Sequence, residues 1–253
     1  MKKEELEEVI TETFKNICSY YNFYNEKTID GKVGGTNYKK SDEYIDSLSL
    51  SQVVTMGVYD NQFEITLNAS CSVLEIENIW NDFKGLVNPV LEDKNYQKFF
   101  EKKIPPTYSV SYDKLKIKDR FPNNTKETGW LSFDISKTGI EQFKKVIEFI
   151  IEKELLPKLE DYRSLESLDK QLNSSIELGY LDSYNVNSNG ILFRRVIIAK
   201  LVGNPLFEEI CDKEKSFFTD YIELSKEKGY EHYKNIPIVF EEVYNRLKSN
   251  KNY

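Results

Sequence analysis

Phe63, Ile65 and Leu67 alternate with Glu64, Thr66 and Asn68. A period of two puts the three apolar side chains on one face of a strand and the polar ones on the other. Such a strand needs a cover for its apolar face, which sets the fold class. Ser47 to Tyr59, rich in Leu, Val and Thr, precedes it, and Asp60-Asn61 falls between the two runs. This arrangement predicts a β-hairpin.

The cover is written in a second period. Leu6, Val9, Ile10, Phe14, Ile17 and Tyr21 recur at steps of three and four, so they share one face of a helix ending near Asn22 to Asn25. Glu4, Glu5, Glu7 and Glu8 crowd its first turns, where the helix dipole favours them. Gly31, Gly34 and Gly35 predict a loop before the first strand. Ser72 is placed to cap a helix running to about Phe83, with Val73, Ile76, Ile79, Trp80 and Phe83 on one side. Asn88-Pro89 stops it. Tyr96, Phe99 and Phe100 read as a helical turn, and Pro105-Pro106 as an extended segment. Tyr108 to Tyr112 and Trp130 to Ile135 read as two more strands around a loop at Pro122, Asn123 and Asn124.

From Ser136 onward the pattern is helical. Ser136 or Thr138 opens a helix through Ile140, Phe143, Val146, Ile147, Ile150 and Ile151, with Pro157 limiting or kinking it. Ser164 opens a short one through Leu165, Leu168 and Leu172. Asn187 to Gly190 reads as a turn, Ile191 to Leu201 as a buried helix, and Asn204-Pro205 as the start of the next. The last starts at Pro237 and carries Val239, Phe240, Val243, Tyr244 and Leu247. The expected fold is therefore α+β, with an antiparallel sheet in the N-terminal half packed with helices and a helical C-terminal half. The expected division is a sheet-containing region at 1–160 and a helical region at 161–253, packed as one unit.

Few chemistries fit this inventory. The single histidine, His232, cannot build a multi-histidine metal site, and no Gly-x-Ser-x-Gly elbow accompanies it. Cys18, Cys71 and Cys211 are far apart and odd in number, which argues for buried apolar thiols in a reducing compartment. Gly31-Lys32-Val33-Gly34-Gly35-Thr36 lacks the strand-loop-helix context and lysine placement of a phosphate loop. Scattered acids such as Asp113, Asp119 and Asp134 leave open a metal-dependent enzyme built on carboxylates. No residue is assigned a catalytic, cofactor-binding or metal-binding role, and no cofactor is expected.

Net charge of -7 disfavours nucleic acid, and the basic pairs Lys39-Lys40 and Lys102-Lys103 have acids nearby. The most apolar window, Ile191 to Val202, is broken by Arg194, Arg195 and Lys200, so no membrane span is expected. An acidic amphipathic start rather than an apolar one predicts a cytoplasmic protein, and the Lys, Asn, Ile and Tyr content points to an AT-rich bacterial genome. The 17 Tyr and 15 Phe supply amphipathic packing material. Arg194-Arg195 is the oddest local feature. The two side chains leave a helix about 100° apart, so one is expected to leave the buried face while the other pairs with a carboxylate.

One resemblance adds to this. An amphipathic helix leads into Tyr20-Tyr21-Asn22-Phe23, a glycine loop and Tyr38. Ile45 to Gln52 then leads into Phe63-Glu64-Ile65-Thr66-Leu67-Asn68, and a later helix ends in Leu155-Leu156-Pro157. Over residues 1–170 this order resembles a family of uncharacterised bacterial domains, some found beside toxin and immunity loci. The resemblance implies a binding or immunity role and carries over no catalytic residue. The expected function is thus non-enzymatic protein binding, immunity or regulatory, with another protein as partner. The alternative is the acid-based metal enzyme.

Overall fold

The computed structural model describes residues 3–27, 33–56, 61–83, 107–126, 130–177, 188–224, 226 and 234–249. The elements begin with α1 (Lys3–Tyr20), β1 (Tyr24–Lys27), β2 (Val33–Lys40), β3 (Tyr44–Met56), β4 (Asn61–Val73) and α2 (Leu74–Asn81). β5 (Tyr108–Val110), α3 (Lys114–Arg120), β6 (Leu131–Asp134), α4 (Lys137–Ile150) and α5 (Leu156–Asp161) follow. The helical remainder is α6 (Leu165–Leu172), α7 (Ser188–Leu201), α8 (Phe207–Leu224) and α9 (Asn235–Ser249). The fold is α+β. The chain forms two compact units, one of Met1–Cys71 and Ser109–Glu160, the other of Ser72–Tyr108 and Asp161–Tyr253. Residues 72–108, which precede the last strands in sequence, thus group with the C-terminal helices.

The sheet runs β1-β2-β3-β4-β5, with β6 also pairing β4. β1 with β2, β2 with β3 and β4 with β6 are antiparallel. The alternation that predicted a strand holds along β4: Phe63, Ile65, Leu67, Ala69 and Cys71 are buried, and the residues between them through Ser70 are not. Phe63 stands opposite Phe133 of β6, and Phe143 of α4 closes the triangle. Ring centroids lie 5.3 to 5.7 Å apart, the spacing at which aromatic pairs attract beyond their area. Leu6, Ile10, Phe14 and Ile17 of α1 are buried, as expected, while Val9 stays partly exposed. The opposite sheet face is hydroxylic. Thr36 bonds Ser49 at 3.0 Å and Ser47 bonds Ser70 at 2.7 Å across neighbouring strands.

Helix ends follow local chemistry. Asn22, at φ 64°, ends α1, and the Phe23 amide bonds back to the Cys18 carbonyl at 3.0 Å. Ser136 caps α4, its hydroxyl accepting from the Gly139 amide at 3.0 Å. Ser164 caps α6 in the same way through Ser167.

Several expectations change. Gly34 and Gly35 lie inside strand β2 rather than in a loop, paired towards the short edge strand β1 that the sequence did not signal. Ser72 lies in β4 and does not cap α2. Val73 occupies the cap position with no side-chain bond to the helix, and its own amide donates to the Thr107 hydroxyl at 2.9 Å. Lys114–Arg120, to which the sequence reading gave no element, is a helix, because Asp113 accepts from the Leu115 and Lys116 amides. Pro157 does not stop the helix. A wide turn over Ile151–Leu155, in which the Leu156 amide reaches back five residues to Ile151, carries the chain past the proline. Ser188 to Gly190 already belong to α7, and α9 starts at Asn235 with Pro237 in its first turn. Asn88-Pro89, Tyr96 to Phe100, Lys102-Lys103, Pro105-Pro106, Asn187 and His232 lie outside the described residues.

Candidate functional site

The charged groups that the sequence placed among apolar ones come together in the second unit. α7 is buried nearly all round, from Leu192 through Ala199, because α2, α6, α8 and α9 all contact it. Neither arginine therefore has a solvent face to leave by, and the expectation that one would emerge is overturned. Arg194 donates to both Glu77 carboxylate oxygens at 2.7 Å, a bidentate pair, and lies 5.6 Å over the Trp80 ring. Thr107 donates to Glu77 Oε1 at 2.8 Å. Arg195 donates to Glu214 at 2.6 Å, to Asn173 Oδ1 at 3.0 Å and to the Ile176 carbonyl at 3.2 Å. Asn173 in turn bonds Asp169 and the Arg195 carbonyl, and Asn204 bonds Asp169.

Burial pulls the Arg195 guanidinium below its ordinary value and pushes the Glu214 carboxyl up, and the direct contact opposes both shifts. Both arginines are engaged with internal acceptors, and the cluster holds α2, α6, α7 and α8 together. This is the structural pairing that the sequence favoured, made twice.

The carboxylates considered for metal chemistry are placed differently. Asp113 is the cap of α3, Asp119 is exposed on that helix, and Asp134 ends β6 with Gln62 at 3.5 Å. Among the described residues, no three Asp, Glu, His or Cys side chains form a group able to hold a metal ion. Cys18, Cys71 and Cys211 are buried thiols outside any disulfide. Burial pushes the Cys18 and Cys211 thiols up to about 12, which leaves them protonated and poorly nucleophilic.

An open groove of about 420 Å³ runs along the first unit between α1 and α4. Thr13, Asn16, Ile17 and Tyr20 line it from α1, at steps of three, one and three that share a helix face. Ile140, Glu141, Lys144 and Glu148 line it from α4. Tyr20 is 82% exposed, and its ring meets the Tyr21 ring edge-on at 5.1 Å. Partial burial, then Glu152 and Glu148, raise the Tyr21 phenol above its ordinary value. Tyr24, 61% exposed, stands opposite Tyr38 on the adjoining β1-β2 pair. Glu12 pairs with Lys15 and Glu152 with Lys153, but among the described residues the side chains of Glu141, Lys144 and Glu148 enter no ion pair or hydrogen bond. Sequence reading did not single out these three residues, because nothing in their spacing separates a groove wall from any solvated helix face.

No helix among the described residues is long and apolar enough to cross a membrane. No protein-family model matches the chain, and comparison with curated proteins and with solved structures gives no match either.

Proposed function

We propose that the protein acts by binding another protein, as an immunity or regulatory partner in the bacterial cytoplasm, and not by catalysis. One contrast carries this reading. The charges buried in the second unit are engaged with one another, whereas Glu141, Lys144 and Glu148 stand unpaired in an open groove beside the exposed Tyr20. Exposed tyrosines give the large rigid contact area with polar tips that protein interfaces use, and solvated charges beside them suit the polar rim that steers and orients a partner. Three buried thiols outside any disulfide support a reducing compartment. The net charge of -7 favours a basic protein surface over nucleic acid as the partner.

The resemblance of residues 1–170 to domains beside toxin and immunity loci directs the search to products of neighbouring genes. The full chain, immobilised, is expected to retain one such protein from source-cell lysate. The purified pair is then expected to form a stoichiometric complex by calorimetry. Failure to recover any protein reproducibly, neighbouring gene products included, would overturn the reading.

A further inference from the structure

The three unpaired charges of the groove have an order: negative at Glu141, positive at Lys144, negative at Glu148. Helical geometry puts them within about 60° of one another, at successive rises of about 4.5 and 6 Å. The half-buried Ile140 and the exposed Tyr20 line the groove with them. A groove between two helices is the seat that a third helix fills by ridge-into-groove packing.

We propose, resting on the protein-binding reading above, that this groove receives a helix of the partner, parallel to α4, carrying a basic, an acidic and a basic residue at positions i, i+3 and i+7, with an apolar side chain against the half-buried Ile140. Charge complementarity selects the order of signs. Pitch selects a helix running parallel to α4: it repeats the 4.5 and 6 Å steps in order, whereas three same-face residues of a strand span about 13 Å and run past the about 10 Å between Glu141 and Glu148. Tyr20 stands exposed in the same groove, so a cation of the partner gains from its ring face as well as from a carboxylate. Lys144 acts as the discriminating element, because a uniformly basic helix meets a like charge at the centre of the site.

The test uses the full chain and two stapled helical peptides of identical composition. One carries Lys-Glu-Lys at i, i+3 and i+7, and the other has the same residues reordered to Lys-Lys-Glu. Fluorescence anisotropy is expected to show the first binding roughly tenfold tighter, the worth of two attractive contacts replaced by two repulsive ones. The Glu141→Lys/Lys144→Glu/Glu148→Lys variant is expected to lose that preference and to favour a Glu-Lys-Glu peptide. Tyr20→Ala is expected to weaken the matched peptide without altering the order of preference. Circular dichroism confirms that the variants fold. Equal affinity for both orders, no binding of either at millimolar concentration, or indifference to the charge-inverted variant would sink the inference. If a protein partner is captured whose affinity ignores the inverted variant, the binding function stands and the groove assignment falls. If no partner is captured and no peptide binds, both fall.

Discussion

Arg194 grips Glu77 through two parallel hydrogen bonds of 2.7 Å, across 117 residues of sequence and with both side chains buried. The pair ties α7, the central helix of the second unit, to α2. Trp80, on the same helix as Glu77, contributes its ring to Arg194 at 5.6 Å and to Phe193 at 4.8 Å. Phe193, Phe218 and Phe240 continue this aromatic cluster with centroids 5.1 to 5.8 Å apart. The charge pair is thus embedded in the core that a mismatch would disturb.

Removing one partner leaves the other charged and dry. Glu77→Ala or Arg194→Ala is expected to destabilise the fold by about 3 to 5 kcal/mol. The double replacement Glu77→Leu/Arg194→Met is expected to cost clearly less than the sum of the single changes, since no orphan charge remains. Urea denaturation of the four proteins completes the cycle. Additive losses would show that the two side chains do not stabilise each other.

The start of α4 is tightly fitted. A Cβ on Gly139 would lie 2.0 Å from the Asp134 carbonyl oxygen, backbone that cannot swing aside. Gly139→Ala, which elsewhere in a helix gains stability, is expected to lose about 1 to 3 kcal/mol here. Ser136→Ala, which removes the cap on the same turn, is expected to lose about 1 kcal/mol. Thermal unfolding followed by circular dichroism ranks them, and a Gly139→Ala protein more stable than the parent would contradict the geometry.

Buried thiols make stability depend on alkaline pH. Cys18 and Cys211 hold their protons to about pH 12 in the folded state, while the unfolded chain releases them from about pH 9. The folded state therefore binds more protons across that window. The stability these thiols contribute is fully present below pH 9 and is lost as pH rises, by up to about 1.4 kcal/mol per unit for each. Cys18→Ala is expected to flatten the decline by one thiol's share. Denaturation midpoints measured from pH 8 to pH 11 check it, and identical slopes for parent and variant would refute it.

Much of the fold was legible because local period and capping chemistry speak directly. The alternation at Phe63, Ile65 and Leu67, the α1 stripe through Leu6, Ile10, Phe14 and Ile17, and the caps at Ser136 and Ser164 all stand where their chemistry put them. β2 was missed because Gly34 and Gly35 carry turn propensity and no side-chain period, so only pairing with β1 and β3 makes that stretch a strand. The α3 helix was missed although its cap, Asp113, stood in view, because seven residues are too short for a convincing stripe.

By itself, the sequence determined the periods, the helix starts at Ser136 and Ser164, and the presence of two arginines in an apolar helix. Tertiary structure alone decided that both arginines would be buried. A helix face counts as exposed or buried only once its neighbours are known, and α7 has neighbours on every side. It also decided that Glu77 and Glu214 would be the partners, 117 and 19 residues away. The groove beside Tyr20 belongs to the same class. Glu141, Lys144 and Glu148 line a groove only when α1 lies alongside α4, because a groove is a property of two packed helices and not of either one.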